Sequence, residues 1–238
     1  MIDIHSHILP AVDDRAVNME QTKNMLRIAF EEGIRTIIAT PHYAVGCINP
    51  TKDELEEKLK LVREEALKIN ETLTLYLGNE VFYSEEVIRD LRNNKALTLA
   101  GTRYVLVRFP KAVSYKEMKT GLHRLLIYGY LPILSHMEYY PCLFLNYESI
   151  EELIRLGVYM QMNSSSIIGP MMSKQVKYCK KLLEYQMIHM IASDSHSDHE
   201  RRPKMKAEYQ YMKRKYGELA DRLFSTNLQT LLKNQLIY

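Results

Sequence analysis

Seven short apolar runs alternate with longer amphipathic stretches along this chain of 238 residues, and that alternation restricts the fold more than any other feature. The runs 2–7, 36–42, 75–82, 104–109, 131–137, 158–163 and 187–194 are apolar and of strand length. The stretches 19–32, 52–70, 85–93, 115–128, 150–156 and 174–185 carry helical spacing. Gly33, Gly129 and Gly157 stand where helices would end, because glycine takes the left-handed conformation that closes a last turn without a side-chain clash. Beyond Pro203 the chain reads as helical to near its end. Strands separated by helices pair in parallel, since each helix returns the chain to the same end of the sheet. The pattern predicts an α/β fold, with a closed or nearly closed β/α barrel first and an open doubly wound sheet second. No linker rich in Pro, Gly or Ser interrupts it, so a single domain over 1–238 is expected.

Composition removes several classes of function. Hydrophobic residues make up 46% of the chain, enough for a large core, and the net charge is only +3. With no Lys/Arg block, a nucleic-acid partner is not expected. Cys47, Cys142 and Cys179 form no closely spaced pair, which argues against a disulfide framework or a zinc–thiolate site and fits a reducing compartment. No apolar run approaches membrane-span length, and the N-terminus lacks the basic-then-apolar order of a signal peptide, so a cytoplasmic protein without membrane insertion is expected. No glycine-rich phosphate loop follows a strand, which weakens a nucleotide-binding reading.

The polar residues at the strand ends point to metal chemistry. On a regular first strand, Asp3, His5 and His7 would face one way and Ile2 and Ile4 the other. Later runs end in His42, Glu80, His136, and the pair Asp194 and His196; Asp13 and Asp14 follow the first run. In a β/α barrel such ends converge on one face, where active sites of these folds lie. Imidazole and carboxylate without thiolate suit Mn²⁺, Fe²⁺ or Zn²⁺. The donors outnumber the needs of one ion and suggest two or three. Any one of these histidines alone would more often be a hydrogen-bonded structural residue; five of eight at strand ends is the stronger signal. His123 and His189 fall outside the pattern, His199 reads as a solvated loop residue, and "DELEEKLKLVREEALK" as a solvated helix face.

The segments "DIHSHILPAVDD", "IIATPHY", "LGNEVF", "PILSHME" and "ASDSH" occur in order along nearly the whole chain. In this they resemble the polymerase and histidinol phosphatase (PHP) superfamily, and within it the manganese-dependent protein-tyrosine phosphatases of bacterial capsule and exopolysaccharide operons. The resemblance implies a distorted (β/α)7 barrel of the PHP type, with the metal site at the C-terminal ends of the strands. It implies three metal positions: His5, His7, Glu80 and Asp194; Glu80 with His136; and Asp14, His42 and His196. It implies Mn²⁺, with Fe²⁺ or Zn²⁺ as alternatives, a phosphate-gripping Arg201, and the phosphotyrosine tail of a bacterial tyrosine kinase as partner.

The sequence departs from that pattern at three positions. Arg108 in "LVRFP" stands where the family usually has glutamate, and guanidinium has no lone pair to give a metal. Either Arg108 swings away, or it takes over part of that metal's electrostatic role and contacts phosphate. Tyr139 in "HMEYY" replaces a phosphate-gripping arginine, and Arg15 stands beside Asp14 where glycine is common. Tyrosine-protein phosphatase is therefore the expected activity. The alternatives are a catalytically weak phosphotyrosine- or kinase-tail-binding protein and a PHP phosphoesterase for a small metabolite such as histidinol phosphate.

Overall fold

The computed structural model describes residues 1–12, 16–170 and 172–237. Within them, β1 (Ile2–Ser6), β2 (Thr36–Ala39), β3 (His42–Tyr43), β4 (Thr74–Leu77), β5 (Glu80–Phe82), β6 (Tyr104–Arg108), β7 (Leu131–Leu134), β8 (Tyr159–Asn163) and β9 (Met190–Ala192) form the strands. The helices between them are α1 (Met19–Glu31), α2 (Lys52–Ile69), α3 (Val87–Arg92), α4 (Tyr115–Ile127), α5 (Tyr147–Leu156) and α6 (Lys174–Glu184). α7 (Lys206–Tyr216), α8 (Glu218–Asp221) and α9 (Asn227–Leu232) follow, the last two joined by a π-helical segment, Arg222–Thr226.

All the strand pairings are parallel. β2 and β3 are halves of one interrupted strand, as are β4 and β5: Gly78 N–H bonds Ala39 O at 2.9 Å and Glu80 N–H bonds Pro41 O at 3.1 Å, carrying the ladder across both breaks. β9 returns to β1, with Asp194 N–H on His5 O at 2.9 Å and His7 N–H on Ser195 O at 2.8 Å. The described strands thus close into a ring of seven positions, and the barrel reading holds over the open sheet.

Helix starts follow local chemistry. Thr51 with Glu54, and Ser114 with Glu117, form capping boxes that satisfy the free N–H groups of α2 and α4. Gly157 ends α5 at φ 100°, as its position in the sequence suggests. α5 begins before the expected residue 150 because the Asn146 side chain accepts from Ser149 N–H and caps the helix there. Other expected boundaries shift near the strand ends. Run 36–42 is broken at Thr40–Pro41, run 75–82 at Gly78–Asn79, run 131–137 stops at Leu134, and run 187–194 is a strand only over Met190–Ala192. The physical reason is shared: these ends leave strand geometry to aim side chains into the mouth, with His136 and Asp194 at φ 34° and 52°.

Two apolar layers hold the ring. Inside it, Ile2, Ile4, Ile38, Leu106, Ile133 and Met190 pack together, with Leu228, Leu231 and Ile237 of the C-terminal segment in the same cluster. Tyr104 Oη donates to Gln235 O at 2.7 Å, fixing that segment against the barrel. Outside it, Ile37, Val105, Val107, Met160 and Ile191 pack against helix residues such as Met25, Leu59, Leu122, Leu153 and Leu182. With the C-terminal segment packed into the barrel's apolar layer, the polar site occupies the mouth at the C-terminal ends of the strands. Among the described residues no helix is long and apolar enough to cross a membrane.

Candidate metal centre

Each ligand-capable side chain is aimed by a local irregularity. The β1–β2 register slips between Asp3 and Ser6, which corrects the simple alternation expected for β1. Ile2 and Ile4 face the inner apolar layer, and the slip also brings His5 and His7 to the mouth. The Asp3 carboxylate accepts His5 N–H at 3.3 Å and Ser193 N–H at 3.0 Å, and also binds Ser193 Oγ. Asp3 is therefore a brace between β1 and the end of β9. Burial pushes its carboxyl up from the usual range, and the Ser193 bonds oppose that shift.

Glu80 starts β5 just after the second break. Gly78 lets the chain pass close to Leu99 there, since a Cβ would fall 2.8 Å from Leu99 Cδ2 and 3.1 Å from the Leu99 backbone. Asn79 locks the break by donating to Pro41 O at 3.0 Å and accepting Leu97 N–H at 2.8 Å. Register pairing then sets His42 opposite Glu80.

Glu80 is the hub of the centre. Its Oε1 lies 2.9 Å from His136 Nε2, 3.7 Å from His5 Nε2 and 2.9 Å from the Ser135 hydroxyl, which donates to it. Its Oε2 lies 3.2 Å from His42 Nε2 and 3.9 Å from His7 Nε2. Asp194 Oδ1 faces His5 and His7 at 3.4 and 3.8 Å. Burial would raise the Glu80 pKa, but His5, His136 and His42 together hold it well below the carboxylate range. Burial pushes His5 down, but Asp194 and Glu80 outweigh it and lift the imidazole to about 9. His196 moves the other way, to about 3, through burial and then the neighbouring His7. Its Nδ1 lies 2.8 Å from Asp194 O, a bond that fixes the ring and leaves Nε2 as the lone-pair donor.

This arrangement fits divalent cations. Donors around one ion at about 2.1 Å stand up to about 4.2 Å apart. The ligand-capable atoms of His5, His7 and Glu80 lie within 4.8 Å of one another, and so do those of His7, His42 and His196. Among the described residues His5 Nε2 is buried without a hydrogen-bond partner while two carboxylates face it. Nitrogen and oxygen donors of this kind hold borderline and hard first-row ions.

The structure thus brings together His5, His7, His42, Glu80, His136, Asp194 and His196. Asp14, with Asp13 and Arg15, lies outside the described residues. Arg108 does not swing away: its Nε stands 4.0 Å from Glu80 Oε2, and its guanidinium carbon is 5.3 Å from the centre of the Phe82 ring. Arg201 binds the Asp194 carboxylate and carbonyl through one guanidinium nitrogen. Tyr139 lines a cleft shared with Arg108, His136, Asp194 and Arg201, its hydroxyl 3.0 Å from Ser166 Oγ. His189 is structural, accepting Met160 N–H at 3.1 Å, and His199 is exposed beside Asp198.

Sequence reasoning missed the support beneath these residues. Gln161 Oε1 accepts His136 N–H at 2.8 Å and lies 3.3 Å from His5 Nδ1, while its amide donates to Asn163 Oδ1 at 2.9 Å. Asn163 in turn donates to Asp194 Oδ2 at 2.8 Å. Glu138, lifted to about 7 by burial, accepts Asn163 N–H and the Ser166 hydroxyl. Polar residues two apart in the apolar run "VYMQMN" were the available signal. Gln161→Met is expected to weaken metal binding about tenfold and to cost about 1–3 kcal/mol of stability, because His136 N–H loses its acceptor and His5 its brace. Metal titration and urea unfolding of the metal-free protein check both; parent-like values in each would remove Gln161 from the centre.

The comparisons with known proteins agree along the whole chain. The family described as "Capsular polysaccharide synthesis, CpsB/CapC" matches residues 1–233. Tyrosine-protein phosphatase CpsB of Streptococcus pneumoniae is 34% identical, over all of both chains. Tyrosine-protein phosphatase YwqE of Bacillus subtilis is 31% identical, over all of this chain and 94% of the relative. A crystal structure from work on YwqE and CpsB, described there as metal-dependent tyrosine phosphatases, matches with a TM-score of 0.91 at 32% identity, over all of this chain and 96% of that one. An organophosphorus hydrolase from Deinococcus radiodurans gives 0.62 at 11% identity, over 97% of this chain and 92% of that one, a likeness of fold alone.

Proposed function

The chain belongs to the CpsB/CapC capsular polysaccharide synthesis family, and from that membership we propose that it is a metal-dependent tyrosine-protein phosphatase acting in capsule or exopolysaccharide synthesis. One observation carries the chemistry: seven ligand-capable side chains meet at one barrel mouth, flanked by the guanidinium groups of Arg108 and Arg201. The substrate on this reading is phosphotyrosine on a protein, with the tail of a bacterial tyrosine kinase as the partner and the cytoplasm as the compartment. Mn²⁺ is the proposed ion, and residues 1–238 form one catalytic domain.

Bound divalent cations would supply Lewis acidity and a water acidified toward neutral pH. The chain's own groups set the rest. His5, His7, Glu80 and Asp194 are assigned to one ion, and His42 and His196 with Asp14 to another. Asp194 holds one edge of Arg201, leaving the other N–H groups of that planar fork for phosphoryl oxygens. Arg108 presents a second fixed positive charge beside Glu80, and its Nε is buried without a hydrogen-bond partner among the described residues. Arg201 is on this reading the group that meets the charge building on the phosphoryl oxygens.

The mouth opens into a cleft of 1350 Å³. A cleft of that size favours a peptide over an enclosed metabolite, since small-ligand pockets typically hold about 300–1,000 Å³. Slow-turnover phosphotyrosine binding is the second reading. It rests on Arg108 at the Glu80–His136 corner, where a guanidinium occupies space beside two metal donors.

Manganese-loaded protein is expected to release phosphate from a phosphotyrosine peptide and from p-nitrophenyl phosphate, and full chelation to stop both. Hydrolysis that persists with no metal left in the sample would overturn the assignment. Binding of the peptide without release of phosphate would select the second reading.

A further inference from the structure

We infer that the cleft beside the metal centre is built to receive acidic residues flanking the phosphotyrosine, and that Arg202 and Lys204 are the groups that read them. The inference takes the phosphotyrosine reading for the phosphate alone; the flanking contact rests on separate observations.

The segment after Arg201 is a pinned strap. His196 N–H bonds Arg201 O at 2.8 Å, and Ser164 Oγ donates to Lys204 O at 2.7 Å. The Glu32 carboxylate accepts both Met205 N–H and Lys206 N–H, at 3.0 and 2.8 Å. Pro203 and Met205 are buried while Arg202 and Lys204 are exposed, so the strap anchors its alternate residues and turns the two cations outward. Both cations line the cleft. Arg202 has no carboxylate partner among the described residues, and Lys204 reaches only Glu208, at 3.6 Å. Lys111, on the loop after β6, lines the same cleft.

The loops after β6 and β7 supply a different surface. Phe109, Pro110, Tyr140, Pro141 and Phe144 line the cleft there. The cleft therefore offers an aromatic surface, a phosphate centre and a cationic strap in one space. Lys204 is three residues from Arg201, at most about 11 Å along the chain. Phosphate at Arg201 thus leaves the neighbouring residues of a bound peptide within reach of the strap. The carboxylates lining the cleft do not cancel these cations. Asp194 belongs to the centre and Glu138 is buried, which leaves Glu200 as the exposed acidic group.

The test uses three phosphotyrosine peptides of equal length, with acidic, neutral or basic flanks, on the manganese-loaded full chain. Initial rates give kcat/KM, fluorescence anisotropy gives affinity, and p-nitrophenyl phosphate reports on the centre alone. The acidic peptide is expected to bind and react about five- to tenfold better than the neutral one at low salt, from several small exposed attractions acting together. The difference should lie in KM and shrink toward unity near 0.5 M salt, where the Debye length is only a few ångströms (~4 Å). The double variant Arg202→Glu with Lys204→Glu should reverse the ranking in favour of the basic peptide. The acidic-to-basic ratio is internal to each variant, so a general loss of activity does not mimic this result. Equal affinities for the three peptides at low salt, or a ranking the double variant leaves unchanged, would overturn the inference. If no substrate is hydrolysed but the affinities still rank as stated, the phosphatase reading fails and this one stands.

Discussion

Asp194→Asn is expected to lower hydrolysis of a phosphotyrosine peptide by at least about a thousandfold, roughly 4 kcal/mol of transition-state stabilisation, while the barrel stays folded. Two losses coincide in this one change. The centre loses a charged oxygen donor that faces both His5 and His7. Arg201 loses the carboxylate that fixes its guanidinium edge. Asparagine is nearly isosteric and, like aspartate, tolerates the left-handed backbone found at this position, φ 52°. Folding should therefore survive, and circular dichroism with urea unfolding shows whether it does. Equilibrium dialysis with manganese separates the causes: metal binding should weaken along with turnover. Hydrolysis within about tenfold of the parent, at saturating metal, would remove Asp194 from the centre.

Arg108→Glu is expected to work in the opposite direction, adding one bound ion per chain and raising kcat/KM by about a hundredfold. Arg108 is the residue on β6 that reaches the Glu80 carboxylate, and His136 Nε2 stands on that carboxylate's other oxygen at 2.9 Å. In the parent, a cation placed between Glu80 and His136 would have two protein donors and a permanent positive charge close by. A unit charge pair at about 4 Å interacts by about 4 kcal/mol even at an effective dielectric of 20, enough to decide occupancy. Glutamate at 108 replaces that repulsion with a third donor. The variant should also lose stability when metal-free, since two carboxylates then face each other, and regain it with manganese through ligand linkage. Metal content by mass spectrometry, melting with and without manganese, and turnover read the three effects. A variant that binds no more metal and turns over no faster would show Arg108 to be a working phosphate ligand rather than a displaced metal site.

Much of this protein is legible in one dimension because the relevant chemistry is local. Residue type and period mark the strands, and Thr51 with Glu54 or Ser114 with Glu117 mark helix starts within four residues. Histidine and carboxylate at the ends of successive strands were enough to name His5, His7, His42, Glu80, His136, Asp194 and His196 together, because a barrel brings all such ends to one mouth.

The tertiary structure decided everything that depends on pairing across long separations. Closure of the ring rests on bonds between residues 5–7 and 194–195, which no local pattern specifies. The slip in β1, the breaks after Ala39 and Leu77, and the left-handed turns at His136 and Asp194 arise where the ladder gives way to aim a side chain. Alternation alone therefore misplaced the faces of β1. Gln161 and Asn163 escaped notice for the same reason: a polar side chain in an apolar strand has no evident purpose until a partner from another strand is brought to it. The sequence determined which donors this protein has and that one fold could gather them. Only the packed barrel determined their distances, and with them the position of Arg108 against Glu80, because side-chain geometry at the mouth is fixed by contacts between strands far apart in the chain.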